Sequence, residues 1–233
     1  MISYEAIPSA IRTAVDRLPS DLLKRSGSVF YSGKEAFVEK APLYVLGLNP
    51  GGIPADVPTV TIASKLAEFK RADAPWSEYT SSWECAPPGT WGLQPQILHM
   101  LGRLGLDPHR VPTSNVVFVQ TRSENDLAQE KSDLLAACWP IHAAVIESLN
   151  IRTILCFGKT AGLWVRERLE ASEQIDTFVE HNKRRWMSTT HRNADGLSVV
   201  TATHPSRVNW RNESADPTPL VGRALGLSLE PQV

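Results

Sequence analysis

The stretch Leu43-Tyr44-Val45-Leu46-Gly47-Leu48-Asn49-Pro50-Gly51-Gly52 changes character at its middle. Its first half is continuously apolar and rich in residues that suit a pleated surface, which is how a strand buried on both faces of a sheet reads. Its second half is a run of turn formers that cannot continue a strand. Working outward from residues 43–48, the same kind of run recurs at 115–120, 153–157 and 197–203. Apolar residues at helical spacing occupy the gaps, at about 95–104, 133–149 and 160–169. Strands that alternate with helices predict an α/β fold, here a three-layer sandwich with a central four-stranded parallel sheet flanked by helices.

A chain of 233 residues with 42% apolar content can bury one sizeable core, so a single domain over 1–233 is expected. Ile7, Ile11, Val15, Leu18 and Leu22 recur at helical spacing, so residues 1–40 are expected to carry a helical lid interrupted near Pro19. Residues 53–90 hold Pro54, Pro58, Pro75, Pro87 and Pro88 and read as a long insertion with one helix near 63–71. Net charge is −1, so any contact with a polyanion must be local rather than global. Positive charge gathers at Lys183, Arg184, Arg185 and Arg192, and again at Arg207 and Arg211. The three cysteines, Cys85, Cys138 and Cys156, have neither the number nor the spacing of a zinc or iron–sulfur site and read as reduced thiols. No run approaches the roughly 18 apolar residues of a membrane span, and MISYEAIPSA lacks the apolar centre of a signal peptide. These features predict a cytoplasmic protein.

In open α/β sheets ligands bind outside the carboxyl ends of the strands. The segments that follow the four runs are Gly47-Leu48-Asn49-Pro50-Gly51-Gly52, Thr121-Arg122-Ser123-Glu124-Asn125-Asp126, Gly158-Lys159-Thr160 and His204-Pro205-Ser206-Arg207-Val208-Asn209-Trp210. The third suggests a phosphate-binding loop, but that motif requires a glycine where Thr153 stands, so it reads as a helix start. The first and last are more than turns. GLNPGG after the first strand and HPSRVNW after the last resemble the two motifs of the uracil-DNA glycosylase superfamily. Ala137-Cys138-Trp139-Pro140, the segment from Ile154 to Ala161 and Thr90-Trp91-Gly92 resemble its intervening signatures, so the likeness runs from about Leu43 to Trp210.

The resemblance implies an enzyme that flips a base out of DNA and hydrolyses its N-glycosidic bond, with no metal and no cofactor. Such a reaction needs a positioned water beneath the sugar carbon and a donor for the anionic leaving base. By resemblance Asn49 orients the water and His204, as neutral imidazole, donates to the base. Gly47, Leu48, Pro50, Gly51 and Gly52 would form the wall that the nucleotide approaches, and Trp91 would stack on the extruded base. Pro205, Ser206 and Arg207 would hold DNA, and Val208 or Trp210 would fill the gap that the base leaves. The cluster Lys183, Arg184 and Arg185 is expected on phosphates. No lysine falls in the motifs where it would form a Schiff base, which predicts a monofunctional glycosylase; its expected partner is DNA, and a monomer is expected.

Uracil-excising relatives carry an asparagine just after the second strand, where this chain has Thr121, with Gln120 before it and Asn125 beyond. A hydroxyl cannot make the paired donor and acceptor contact of an amide. Either Gln120 or Asn125 substitutes, or the substrate is a bulkier, modified pyrimidine such as a hypermodified cytosine of phage DNA. A third reading is a DNA-binding member without turnover.

Overall fold

The computed structural model describes residues 2–52, 54–55, 58–83 and 85–228. In chain order the helices are α1 (Ser9–Asp16), α2 (Ser20–Leu23), α3 (Ile62–Arg71), α4 (Gln94–Arg103), α5 (Glu124–Gln129), α6 (Lys131–Ser148), α7 (Lys159–Leu169) and α8 (Thr218–Ala224). The strands are β1 (Leu43–Gly47), β2 (Thr113–Asn115), β3 (Thr153–Phe157), β4 (Glu173–Val179), β5 (Met187–Arg192) and β6 (Ser198–Ala202).

These strands form one six-stranded sheet in the order β2-β1-β3-β6-β5-β4. The expected four-stranded sheet is therefore incomplete. Its four members β2, β1, β3 and β6 are parallel, and β5 and β4 extend it antiparallel beyond β6. The added pair escapes notice in the sequence because Glu173–Val179 and Met187–Arg192 are largely polar, and β4 is exposed or half-buried along its length. Polar strands can be held by ladder hydrogen bonds to a neighbour without an apolar signature.

Alternation along β1 decides which helices cover which face. Tyr44 and Leu46 enter a core shared with Ile11, Val15, Ile62, Cys138, Ile141 and Val165, so α1, α3, α6 and α7 lie on that side. Leu43 and Val45 enter a second core with Ile97, Met100, Leu101, Leu220 and Val221 from α4 and α8. The N-terminal positions Ile7, Ile11, Val15, Leu18 and Leu22 are all buried, and α1 packs against α6. Within the insertion, Ile62, Leu66 and Phe69 of α3 join the first core, so this segment is partly integral rather than a free loop. Ile53 of that insertion lies outside the described residues.

The second strand lies upstream of its expected place. β2 pairs with β1 through Thr113, Ser114 and Asn115, with Asn115 opposite Gly47. Residues 116–119 are apolar and buried but turn aside: Val116 N donates to Gly47 O at 2.9 Å and Val117 N to Leu48 O at 2.9 Å. An antiparallel bridge of Val119 to Gly27 and a bond from Gln120 N to Ser26 O complete the segment's pairing. The polar Thr113 and Ser114 are tolerated inside because hydroxyls pair with backbone there, Ser32 Oγ accepting from Thr113 N at 2.9 Å and Ser114 donating to Val29 O.

Candidate active site

The four parallel strands all deliver their carboxyl ends to one edge, which gathers Gly47 to Asn49, Asn115, Gly158 and His204. Gly158 has φ +86° and donates its N–H to Ala202 O at 2.8 Å, so the turn from β3 into α7 hugs β6. A Cβ on Gly158 would meet His204 only at 3.7 Å, so it is the backbone conformation that calls for glycine. This accounts for the Gly-Lys-Thr segment as a helix start beside the last loop.

Asn49 is half-buried and its amide nitrogen is fully engaged. Nδ2 donates to Thr121 Oγ1 at 2.8 Å, to Pro50 O at 3.0 Å and to Val119 O at 3.3 Å. Among the described residues no group donates to Oδ1, so the side chain is locked in one orientation with its acceptor unused. Thr121 is buried, and its hydroxyl accepts from Asn49 while donating to Ser123 O at 3.0 Å. Both its hydrogen-bonding roles are occupied by protein, so Thr121 orients Asn49. Gln120 is likewise engaged: Nε2 donates to Gly51 O at 2.7 Å and braces Gly52, whose φ is +109°. Asn125 stands exposed on the first turn of α5, behind the Ser123–Asp126 capping box, and makes no hydrogen bond among the described residues. Of the residues weighed for the base contact, Thr121 and Gln120 are thus taken up by protein, whereas the Asn125 amide is free at the surface among the described residues.

A different amide occupies the strand end. Asn115 lies against Gly47 so closely that a Cβ there would fall 2.1 Å from Asn115 Oδ1. Tyr31 comes from the segment running antiparallel to β2 and brings its hydroxyl beside the Asn115 side chain. Burial, then the neighbouring Glu78 carboxylate, raises the Tyr31 hydroxyl well above its ordinary value, while the polar Asn115 side chain opposes that rise. Burial also holds Glu78 above the usual carboxylate range. Asn115 begins the apolar run 115–120 expected as a strand, whereas it ends β2; the polar triplet Thr113-Ser114-Asn115 before that run is the signal in the sequence.

On the opposite flank, His204 Nδ1 faces Ser206 N at 3.2 Å and Ser206 Oγ at 2.8 Å. A backbone N–H can only donate, so Nδ1 accepts and the ring proton resides on Nε2. Burial, and then the charge of Arg207, lower the His204 pKa from its ordinary value and favour the neutral ring. Phe157 meets it edge-on at 6.2 Å. Pro205 is buried and its carbonyl accepts from Gln96 Nε2 of α4 at 3.4 Å. Val208 and Trp210, expected to point toward DNA, are 3% and 0% exposed and pack in the second core with Phe157. Ser206, Arg207 and Asn209 are the outward residues of this loop. Trp91, 43% exposed just before α4, is free to stack, and Gly51 borders open space.

A family model described as the Uracil DNA glycosylase superfamily matches residues 37–222, most of the chain, including both motif loops. The chain belongs to the uracil-DNA glycosylase superfamily. Hydrolytic release of a base from DNA is the general activity that this membership carries. No curated protein matches the glycosylase. Among the described residues, no helix is long and apolar enough to cross a membrane.

Of the basic cluster in this glycosylase, Lys183 and Arg185 are exposed at the β4–β5 turn, while Arg184 is engaged by protein. Its Nη1 donates to Arg207 O at 3.1 Å and its Nη2 lies 3.3 Å from the buried Glu180 carboxylate. Nη1 and Nη2 each spend a donor on protein, which fixes the direction of the fork and leaves its other N–H groups to solvent.

Proposed function

We propose that the protein is a monofunctional DNA glycosylase that flips a damaged pyrimidine out of DNA, hydrolyses its N-glycosidic bond and leaves an abasic site. The observation that carries this reading is the complementary preparation of two side chains at one sheet edge. Asn49 offers a fixed, unused carbonyl oxygen, and His204 offers a fixed Nε2–H. The first accepts a hydrogen bond from water and aims its lone pair at the sugar carbon. The second donates to the base oxygen as negative charge develops there. An amide is a weak base, so Asn49 orients the water rather than deprotonating it. In this reading Trp91 stacks on the extruded base and Asn115 reads its polar edge, the amide that Thr121 was expected to lack. Arg207, outward at the loop tip, takes the place in the duplex that Val208 and Trp210 cannot reach. An asparagine beside Gly47 favours a uracil-like edge over a bulkier modified cytosine, because a side-chain amide matches a ring N–H and carbonyl together.

The test is incubation with single-stranded uracil DNA, a uracil mismatch duplex and DNA carrying hypermodified cytosine, followed by alkali. Alkali-labile sites at uracil, with no cleavage before alkali and no borohydride-trapped adduct, are the expected result. Absence of alkali-labile sites on every substrate would return the protein to a DNA binder. Asn49→Ala should lower base release by about two orders of magnitude with binding within a few-fold, since the interaction is made in the transition state.

A further inference from the structure

The β4–β5 hairpin lies outside the parallel strands that carry Asn49 and His204, yet it is fastened to the catalytic loop. Arg184 makes the connection through its 3.1 Å bond to Arg207 O. The same guanidinium sits between Glu180 and Trp186, 3.3 Å from Glu180 Oε2 and with its carbon 4.8 Å from the Trp186 ring centroid. Glu180 is fully buried and its Oε2 also accepts from Asn182 Nδ2 at 2.8 Å, so removing the guanidinium would strand a buried carboxylate. Glu180 N donates to Trp186 O, and His181 N to Ser214 O, which hold the turn on both sides. At this rigid tip Trp186 and Met187 are 44% and 56% exposed, with Lys183 and Arg185 exposed beside them. Tryptophan is usually well buried, and here a cation stacked on it keeps the ring upright while leaving much of its surface to solvent.

We propose that this hairpin tip is a second DNA-docking element, on which an unpaired base of the substrate strand stacks against Trp186. Lys183 and Arg185 contact the flanking phosphates, and Arg184 is the positioning residue that ties this platform to the loop of His204 and Arg207. The proposal rests on the glycosylase reading above. Its occupant is single-stranded DNA, because a stacked tryptophan needs a free base face and a paired base gives its faces to its neighbours. Exposed aromatic rings interleaved with cations are what sequence-tolerant single-strand sites use. A positive tip on a chain of net charge −1 supplies the matching electrostatics.

The experiment compares wild type, Trp186→Ala, Trp186→Phe and Arg184→Lys on an oligonucleotide carrying a non-cleavable abasic analogue, single-stranded and in duplex, with fluorescence anisotropy as the readout. Trp186→Ala should weaken single-strand binding by about five-fold or more, leave duplex binding within about two-fold, and be largely rescued by Trp186→Phe. Arg184→Lys keeps the charge but loses the forked geometry, so on a second, uracil-carrying oligonucleotide it should slow single-turnover base release at saturating DNA more than it weakens binding to the analogue. Equal loss on both DNA forms, or no loss on either, overturns the proposal, as does failure of phenylalanine to rescue a folded Trp186→Ala protein. A single-strand-selective loss in a protein that releases no base from any substrate would keep the docking element and sink the glycosylase reading instead.

Discussion

Asn49 commits its amide nitrogen to three protein oxygens and leaves its carbonyl oxygen free, and Thr121 is the nearest of the three. Thr121→Val removes the hydroxyl while keeping the shape, so it should lower the base-release rate by about ten-fold through loss of one orienting hydrogen bond, of roughly 1–1.5 kcal/mol. Thr121→Ser should stay near wild type, and single-turnover kinetics at saturating DNA distinguish the two; a silent Thr121→Val would mean that Pro50 and Val119 suffice. For His204 the sign of the pH dependence follows from its surroundings. Protonation must place a hydrogen on Nδ1, where two Ser206 groups are already bonded, and the pKa lies below its ordinary value. The neutral ring therefore persists as pH falls through about 6.5, and base release should decline only at lower pH. A rate profile with its acid limb at or above 6.5 would contradict the lowered pKa, and His204→Gln should abolish the limb.

At the scale of elements, α6 carries a buried histidine that serves the fold. His142 Nε2 donates to Val116 O at 3.1 Å, and its Nδ1 accepts from Tyr44 Oη at 2.8 Å, so the neutral ring clips α6 to β1 and to the segment behind Asn115. Burial pushes its pKa down to about 4. The unfolded chain takes up that proton near 6.5, so this stability is fully present above 6.5 and is lost as pH falls toward 4. The loss amounts to about 3 kcal/mol. Denaturant titrations at pH 7 and pH 4.5 should show it, with His142→Asn less stable at pH 7 and flatter between the two; parallel slopes for both proteins would remove His142 as the cause. His204 and His191, whose pKa values burial also lowers, lose stability over the same acid range, so the comparison with His142→Asn is what isolates the part owed to His142.

For the whole molecule, net charge near zero leaves DNA attraction to a few local cations. Lys183→Ala with Arg185→Ala should reduce the salt slope of DNA binding by about 1.5, two phosphate contacts at 0.7–0.9 each. Adding Arg184→Ala should bring little further change in slope but a loss of thermal stability, since Arg184 balances Glu180 inside the protein. A drop in slope from the third substitution as large as from the first two would place Arg184 on a phosphate after all.

Much was legible along the chain because it is local. The apolar runs of β1, β3 and β6, the helical spacing of α3, α4, α6 and α7, and the two motif loops with Asn49 and His204 are set by neighbours in sequence, where side-chain period and turn chemistry act. What only the tertiary structure decided involves partners far apart in the chain. Glycine at position 47 makes room for Asn115, and Thr121 and Gln120 are taken up by Asn49 and Gly51. Val208 and Trp210 turn into the core beside Phe157. The polar strands β4 and β5 form because β6 offers them an edge of unpaired hydrogen-bonding groups, and no periodicity within either strand announces that. Sequence sets which residues are able to do the chemistry; three-dimensional packing sets which of their polar atoms are still free to do it.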